Sequence, residues 1–461
     1  MRRVDVVVIG AGPAGMGAAI EARRWGLSVL LLDEQAGPGG QIYRGIEAEP
    51  AHHVRLGTSH VAGVDLVRQL RASGADHHAS ASVWFVAADG EVAYSVDGHA
   101  HRIAAQRIIL ATGAIERPCP IPGWTLPGVM TAGAAQILLK TAGVARADAV
   151  FAGSGPLLYL VASQYAQLGV PIRAVLDTTP AYHYARSAAQ WRSAVRGAPY
   201  LANGLRMLAS LRRAGIRIVA GVTGLHAEGD DRLERVLYQK RGRWLSLDTS
   251  GLFLHQGVIP HIQAALAAGC ERTWDDRAQC WRIVTDACGQ TSQPAILLAG
   301  DAAAITGATS APMRGELAAV AAAHALGCMS DRAFAARRNP LLRRLARDAA
   351  VRPFLETLYR PAPTFSTPPD PETLVCRCEE IRVREVGAYV RQGGDDANPF
   401  KSARRCGMGP CQARQCGQTL AHLICRGGEE PEVGHALRVR PPIVPVRLSE
   451  LAELADDKVS A

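Results

Sequence analysis

Five cysteines near the C-terminus have the residue type and spacing for metal or redox chemistry. Cys376 and Cys378 lie in Cys-Arg-Cys, and Cys406, Cys411 and Cys416 in Cys-Gly-Met-Gly-Pro-Cys-Gln-Ala-Arg-Gln-Cys. Thiolates ligate zinc and iron–sulfur clusters, and four from one short segment suit either. The Cys-x-Cys pair is tighter than the C-x2–4-C spacing usual for zinc. Glycines around Cys411 leave amides free to bond sulfur. Cys411 and Cys416 form one C-x4-C pair and Cys406 and Cys411 another, so spacing alone leaves the ligand set open.

A second constellation fits phosphate and ribose. Val6 to Ile9 is a continuous apolar run, as in a strand buried on both faces of a parallel sheet. Gly10-Ala-Gly12-Pro13-Ala14-Gly15 follows at the GxGxxG spacing. The first glycine permits a tight turn, the second a close approach to pyrophosphate, and the third close packing of helix on strand. Met16 to Trp25 supplies that helix, whose N-terminal amides face the phosphates. Val29 to Leu32 is the next strand. Asp33, with Glu34 after it, stands eighteen residues beyond Gly15, where a carboxylate accepts from a ribose diol. Gly39-Gly40-Gln41 comes next and allows close backbone approach to the middle of a dinucleotide. Ile108 to Ala114 reads as a buried strand ending in the small-residue turn Ala111-Thr112-Gly113.

A similar pattern recurs. Ala149 to Ala152 is a strand, Gly153-Ser-Gly155-Pro156 a second turn, Leu157 to Leu168 a helix, and Ile172 to Leu176 a strand ending at Asp177. The acid favours NAD over NADP, because it repels a 2′-phosphate. Leu158 stands where the third glycine belongs, and a larger side chain there should push the helix off the strand. The second site is therefore weak, takes another adenine nucleotide, or is vestigial.

Elements to position these residues are available. A chain of 461 residues suggests about three domains. Its formal charge of +9 is spread out, with no dense basic block interleaved with aromatics, which argues against nucleic acid. No run of eighteen apolar residues appears, and the first strand follows Met-Arg-Arg at once, so a cytoplasmic protein is expected. The histidines at 52, 53, 60, 77 and 78 read as a solvated loop. Cys119, Cys270, Cys280, Cys288 and Cys328 are isolated and read as core thiols, with no C-x-x-C beside either turn. Ala311 to Leu326 is an alanine-rich helix, Asp331 to Tyr359 is helical and arginine-rich, and Arg360 to Pro371 is a proline-rich linker. No Ser-His-Asp, paired-carboxylate or zinc-hydrolase constellation is evident, so no catalytic acid or base is named.

The elements Gly10 to Gly15, Asp33, Gly39-Gly40-Gln41, Ala111-Thr112-Gly113 and Ala299-Gly300-Asp301 resemble the FAD-binding parts of two-dinucleotide-domain flavoproteins. The resemblance implies an α/β fold: a split FAD-binding Rossmann-like domain with an inserted NAD-type Rossmann domain. Asp301 is then the acceptor for a ribityl hydroxyl. The cysteine segment resembles the [2Fe–2S] domain related to bacterioferritin-associated ferredoxin, a small α-rich unit. There an arginine, a small residue and G-x-G precede the last two ligands. Arg405-Cys406-Gly407-Met408-Gly409 matches, which implies Cys376, Cys378, Cys411 and Cys416 as ligands. The implied boundaries are 1–118 and 247–330 for the split domain, 119–246 for the insert, 331–371 for helix and linker, 372–430 for the cluster, and 431–461 for a tail.

The combination is similar to one type of chain: the A subunit of opine oxidases, the B subunit of bacterial hydrogen cyanide synthase, and subunits of dye-linked proline and hydroxyproline dehydrogenases. The resemblance implies electron relay with FAD and [2Fe–2S]. An amino-acid-oxidase-like partner oxidises a C–N bond, and the acceptor is a small electron carrier or quinone. It also implies NAD or ATP at a dinucleotide site, FMN at a subunit interface in some members, and a cytoplasmic position that includes the inner membrane face. Two other readings are a stand-alone NAD(P)H:acceptor oxidoreductase and a non-catalytic scaffold with a structural cluster.

Overall fold

The computed structural model describes residues 1–47, 58–425 and 430–459. Arg2–Ile9 is the centre of the first sheet, and Val6, Val7 and Val8 are fully buried. It pairs in parallel with Val29–Leu32 on one side and His99–Leu110 on the other. The seven strands run in the order Asp76–His78, Val29–Leu32, Arg2–Ile9, His99–Leu110, Glu91–Val96, Ser82–Val86, with Ile296–Leu298 also on His99–Leu110. The antiparallel strands Ser82–Val86 and Glu91–Val96 are thus part of the main sheet. His77 and His78 lie in its edge strand and not in a loop, because their backbone pairs with Leu31 and Leu32. Position 60 falls within the helix Thr58–Ala72, again not a loop. The histidines at 52 and 53 fall outside the described residues.

Pro13–Arg24 crosses over the first sheet and packs on Ser310–Ala325 through small residues. A Cβ on Gly17 would stand 2.5 Å from Pro312 O, and one on Gly315 1.8 Å from Ala14 O. Glycines therefore set how closely these two helices cross.

The second sheet is parallel, in the order Ile218–Ala220, Ile172–Asp177, Ala149–Ser154, Leu252–Gln256, Val129–Thr131. Leu252–Gln256 belongs to it, so its strands run past residue 246. Leu158 is fully buried with Phe151 of the strand Ala149–Ser154 and with Tyr165 and Phe253; these three rings meet edge-on at 5.0 to 5.8 Å.

Residues 331–359 form the helices Asp331–Ala349 and Arg352–Leu358, and the linker holds a short helix, Pro363–Ser366. A small third unit follows: a hairpin of Leu374–Cys376 with Ile381–Arg382, then helices Val383–Arg391, Ala397–Arg404 and Gly417–Ile424. Its core is Val375, Val386, Phe400, Leu420 and Ile424 with Cys376, Cys406 and Cys416. The expected tail packs back instead. Ile443 N–H donates to Trp84 O at 2.9 Å, Ala436 and Ile443 join the first unit's core, and Leu448–Val459 lies against His99–Leu110. Burial of its apolar side chains explains why it does not trail free. Among the described residues, no helix is long and apolar enough to cross a membrane.

Candidate functional site

The first glycine turn is closed by backbone from distant parts of the chain. Gly10 has φ +103°, and a Cβ there would stand 2.6 Å from Ala111 O. A Cβ on Gly15 would stand 1.7 Å from Gly10 O, one on Gly40 2.8 Å from Gly12 Cα, and one on Gly300 2.6 Å from Ala14 Cβ. Every element singled out in the sequence for the first dinucleotide is therefore gathered at one turn. The Asp33 carboxylate accepts from the N–H groups of Ala11 and Gln35. Burial pushes that carboxyl up, against those two hydrogen bonds. Glu34 is exposed beside it, and the Gln41 side chain is exposed as well. Asp301 Oδ1 accepts from Thr306 N–H at 2.8 Å and Gly307 N–H at 3.1 Å. Thr112 donates its hydroxyl to His261 O at 2.6 Å, and Gly113 O accepts from His261 N–H at 2.9 Å. A backbone cradle that a single Cβ would fill, with carboxylates at two of its edges, fits an adenine dinucleotide.

Lys140, which sequence reading missed, fastens the Gly-Gly-Gln loop. Its Nζ donates to Gln41 O at 3.0 Å and Ile42 O at 2.9 Å. Burial, then the Arg44 guanidinium, pushes its ammonium from 10.5 down to about 8. Between about pH 8 and about pH 10.5 the unfolded chain keeps a proton that the folded chain has released. Stability then rises with pH across that window. Relative to Lys140→Met, the wild type should gain Tm between about pH 8 and about pH 10; parallel Tm profiles would contradict this assignment.

The second turn is built differently. Gly153 (φ +148°) and Gly155 (φ +120°) are buried, and a Cβ on Gly155 would meet His255 Nε2 at 3.3 Å. His255 Nδ1 lies 2.6 Å from Glu116 Oε1. Asp177 is buried and its carboxylate is occupied from within: Tyr159 Oη donates at 2.6 Å, Thr179 N–H at 2.8 Å, and Tyr184 also bonds it. Burial, then the Asp177 charge, pushes the Tyr159 phenol well up, which keeps it a donor. A ribose at Asp177 would have to displace these hydroxyls, so the residues present do not fit an NAD ribose there. Neither tyrosine stands out in the sequence.

In the third unit, the sulfurs of Cys376, Cys406 and Cys416 lie within 4.8 Å of one another, all buried. Cys376 is the acceptor among the trio. Its sulfur accepts from Cys406, then Cys416, and from the N–H groups of Gly407 and Glu379, which together hold it down to about 2. The Cys406 and Cys416 thiols are pushed up by the same contact with Cys376. Cys378 faces Cys411 and accepts its backbone N–H; burial raises the Cys378 thiol. Gly409 has no room for a side chain, since a Cβ would stand 2.3 Å from Cys378 Cβ. Thus the four expected cysteines fall into two pairs, Cys376 with Cys416 and Cys378 with Cys411, and Cys406 adds a fifth thiol. Several soft sulfur donors with amides aimed at them fit an iron–sulfur centre. Of the isolated cysteines, Cys119, Cys270, Cys280 and Cys288 are buried as expected, whereas Cys328 is exposed at a helix end.

The thiol loop touches the first unit. Arg414, between Cys411 and Cys416, donates from Nε to His261 Nε2 at 2.9 Å. Trp124 Nε1 donates to Leu374 O at 2.8 Å, and Gln418 Nε2 to Gln279 O at 2.8 Å. A cavity of about 70 Å³ lies in this seam, bounded by Ile259, Pro260, Trp281, Arg414 and Gln418.

Comparison with known proteins agrees with this build. Residues 4–325 match the pyridine nucleotide-disulphide oxidoreductase family. The A subunit of opine oxidase from Rhizobium meliloti is 41% identical over 98% of this chain and 87% of that protein. The HcnB subunit of hydrogen cyanide synthase from Pseudomonas aeruginosa is 32% identical over 98% and 99%. The crystal structure of L-proline dehydrogenase from P. horikoshii superposes with TM-score 0.69 at 22% identity, covering 98% of this chain and 80% of that one. The chain belongs to the pyridine nucleotide-disulphide oxidoreductase family and, across nearly its whole length, to the group that includes the A subunit of opine oxidase.

Proposed function

We propose that this chain is the FAD- and iron–sulfur-carrying member of a heteromeric amino- or imino-acid dehydrogenase acting on an opine, proline or hydroxyproline-like substrate. The observation that carries this reading is the docking of a cysteine-rich loop, with three sulfurs gathered within 4.8 Å, onto a dinucleotide cradle in one polypeptide, in a chain similar end to end to the A subunit of opine oxidase. When bound, flavin exchanges electrons in pairs and an iron–sulfur centre one at a time.

This chain's residues bind and orient. Gly10, Gly12, Pro13, Ala14 and Gly15 form the pyrophosphate turn; Asp33 and Glu34 face the ribose. Gly40, Gln41, Ala111, Thr112, Gly113, Gly300 and Asp301 close around it. Cys376, Cys378, Cys411 and Cys416 hold a [2Fe–2S] centre, leaving Cys406 as a buried neighbour. Amine oxidation belongs to an amino-acid-oxidase-like partner, the division of labour that similarity to the A subunit of opine oxidase implies. Gly153, Gly155 and Asp177 take no part in nicotinamide chemistry, since Asp177 is satisfied by Tyr159 and Tyr184.

The chain should be co-expressed with the amino-acid-oxidase-like product of a neighbouring reading frame and offered opines, proline and hydroxyproline with an artificial dye. Dye reduction is expected only with both chains present, and NADH should leave the flavin oxidised. Rapid flavin bleaching by NADH in the single chain would overturn the reading in favour of a stand-alone oxidoreductase.

A further inference from the structure

We infer that Arg414 is a positioning residue that locks the thiolate loop to the first dinucleotide turn, with His261 as its receptor. The inference rests on the proposed relay and adds a residue-level coupling between its two centres.

Arg414 lies in the loop that carries Cys411 and Cys416, three residues after the first and two before the second. Its donors converge on three acceptors, none of them a carboxylate. Nε reaches His261 Nε2 at 2.9 Å, Nη1 reaches Cys411 O at 3.1 Å, and Nη2 reaches Ile443 O at 3.1 Å. A surface ion pair is not what holds it. One planar fork joins three separate segments: the thiol loop, the turn after Val258–Pro260, and the returning C-terminal strap. Lysine carries its three donors on one nitrogen and lacks the planar fork whose separate nitrogens reach all three segments.

His261 is equally committed. Its backbone O accepts from Thr112 Oγ1 and its N–H donates to Gly113 O. Nε2 accepts from Arg414, so the ring is the neutral tautomer with its proton on Nδ1. The result is an unbroken hydrogen-bonded chain: the Thr112–Gly113 turn, His261, Arg414, the Cys411 carbonyl. It is a short covalent and hydrogen-bonded route between the two loops proposed to hold the cofactors. It also leaves a fixed positive charge beside Cys411, which favours the more negative, reduced state of a centre held there.

The test uses the full chain with its partner, loaded with iron and flavin, in six versions: wild type, Arg414→Gln, Arg414→Lys, His261→Leu, the Arg414→Gln/His261→Leu double variant and Trp124→Phe. Iron and flavin content are measured first. The midpoint potential of the centre is then read by EPR during dithionite titration, and its reduction is timed after flash photoreduction of the flavin. Arg414→Gln should lower the potential and slow the transfer on the order of tenfold to a hundredfold, as small misplacements do. Arg414→Lys should restore the potential but not the rate. His261→Leu should slow the rate similarly, and the double variant should be no slower than either single one. Trp124→Phe, which loosens the same unit at its other edge, should lower Tm without moving the potential. If Arg414→Gln does not fold, Arg414→Lys and His261→Leu decide. Wild-type rate and potential in these loaded variants, or simple additivity in the double variant, overturns the inference. Wild type lacking iron instead defeats the proposed function.

Discussion

Replacing Cys376 by serine should remove the iron–sulfur centre while leaving the flavin bound. Cys376 belongs both to the ligand set implied by motif and to the trio of sulfurs gathered within 4.8 Å. Its sulfur accepts from both other thiols of that trio and from the N–H groups of Gly407 and Glu379, so it sits at the centre of the group. Loss of an outer-shell partner typically costs 10–100-fold in affinity or activity, so loss of this ligand should cost at least about 100-fold in turnover. Iron should fall to near zero, with the cluster's visible bands, while flavin absorbance persists. Cys406→Ala is the companion experiment. With Cys376, Cys378, Cys411 and Cys416 as ligands it keeps its iron and its EPR signal; loss of both would move Cys406 into the ligand set.

The Gly15→Ala variant should lose the flavin and much of the stability of the first unit. The added methyl would stand 1.7 Å from Gly10 O and 2.9 Å from Gly10 C, both main-chain atoms that no side-chain rotation relieves. Overpacking of this kind costs about 3 kcal/mol, a Tm fall on the order of 6–12 °C. Gly26→Ala is the matched control: it has positive φ, +78°, but its Cβ meets nothing within 4 Å. It should show only the backbone strain and keep its flavin. Full flavin occupancy in Gly15→Ala would show that the pyrophosphate lies elsewhere.

The two variants mark what was legible in the sequence. The first turn could be read because each of its requirements is local: an apolar strand, glycines at fixed offsets, an acid at the next strand's end. Gly300 and Ala14 meet across nearly the whole domain, yet each carries its own motif, so their convergence was accessible too. The second turn was legible only in part. Leu158 takes the third glycine's place and is buried among Phe151 and Phe253. What closes the acid there is a pair of tyrosine hydroxyls, and nothing in the spacing of Tyr159 and Tyr184 announces Asp177 as their acceptor.

The thiol nest was legible in composition and not in arrangement. Cys406 enters it because the helix Ala397–Arg404 ends at Arg405 with φ +60° and the chain turns inward through Gly407 at φ +84°. Arg414 stood in the motif throughout. Its acceptor, His261, is set by how the third unit docks, which no local pattern encodes. The C-terminal strap was missed for the same reason: its anchors, Trp84 and Arg272, lie far upstream in the chain.

The proposed relay puts on one polypeptide a flavin and an iron–sulfur centre that exchange electrons. Anaerobic EPR of the purified complex, recorded before and after photoreduction of its flavin, tests it most directly. An EPR-silent oxidised sample with two irons and one FAD per chain is expected, with a reduced [2Fe–2S] signal that appears as the flavin reoxidises. A reconstituted protein without iron, or a loaded centre that stays silent while the flavin remains reduced, would contradict it.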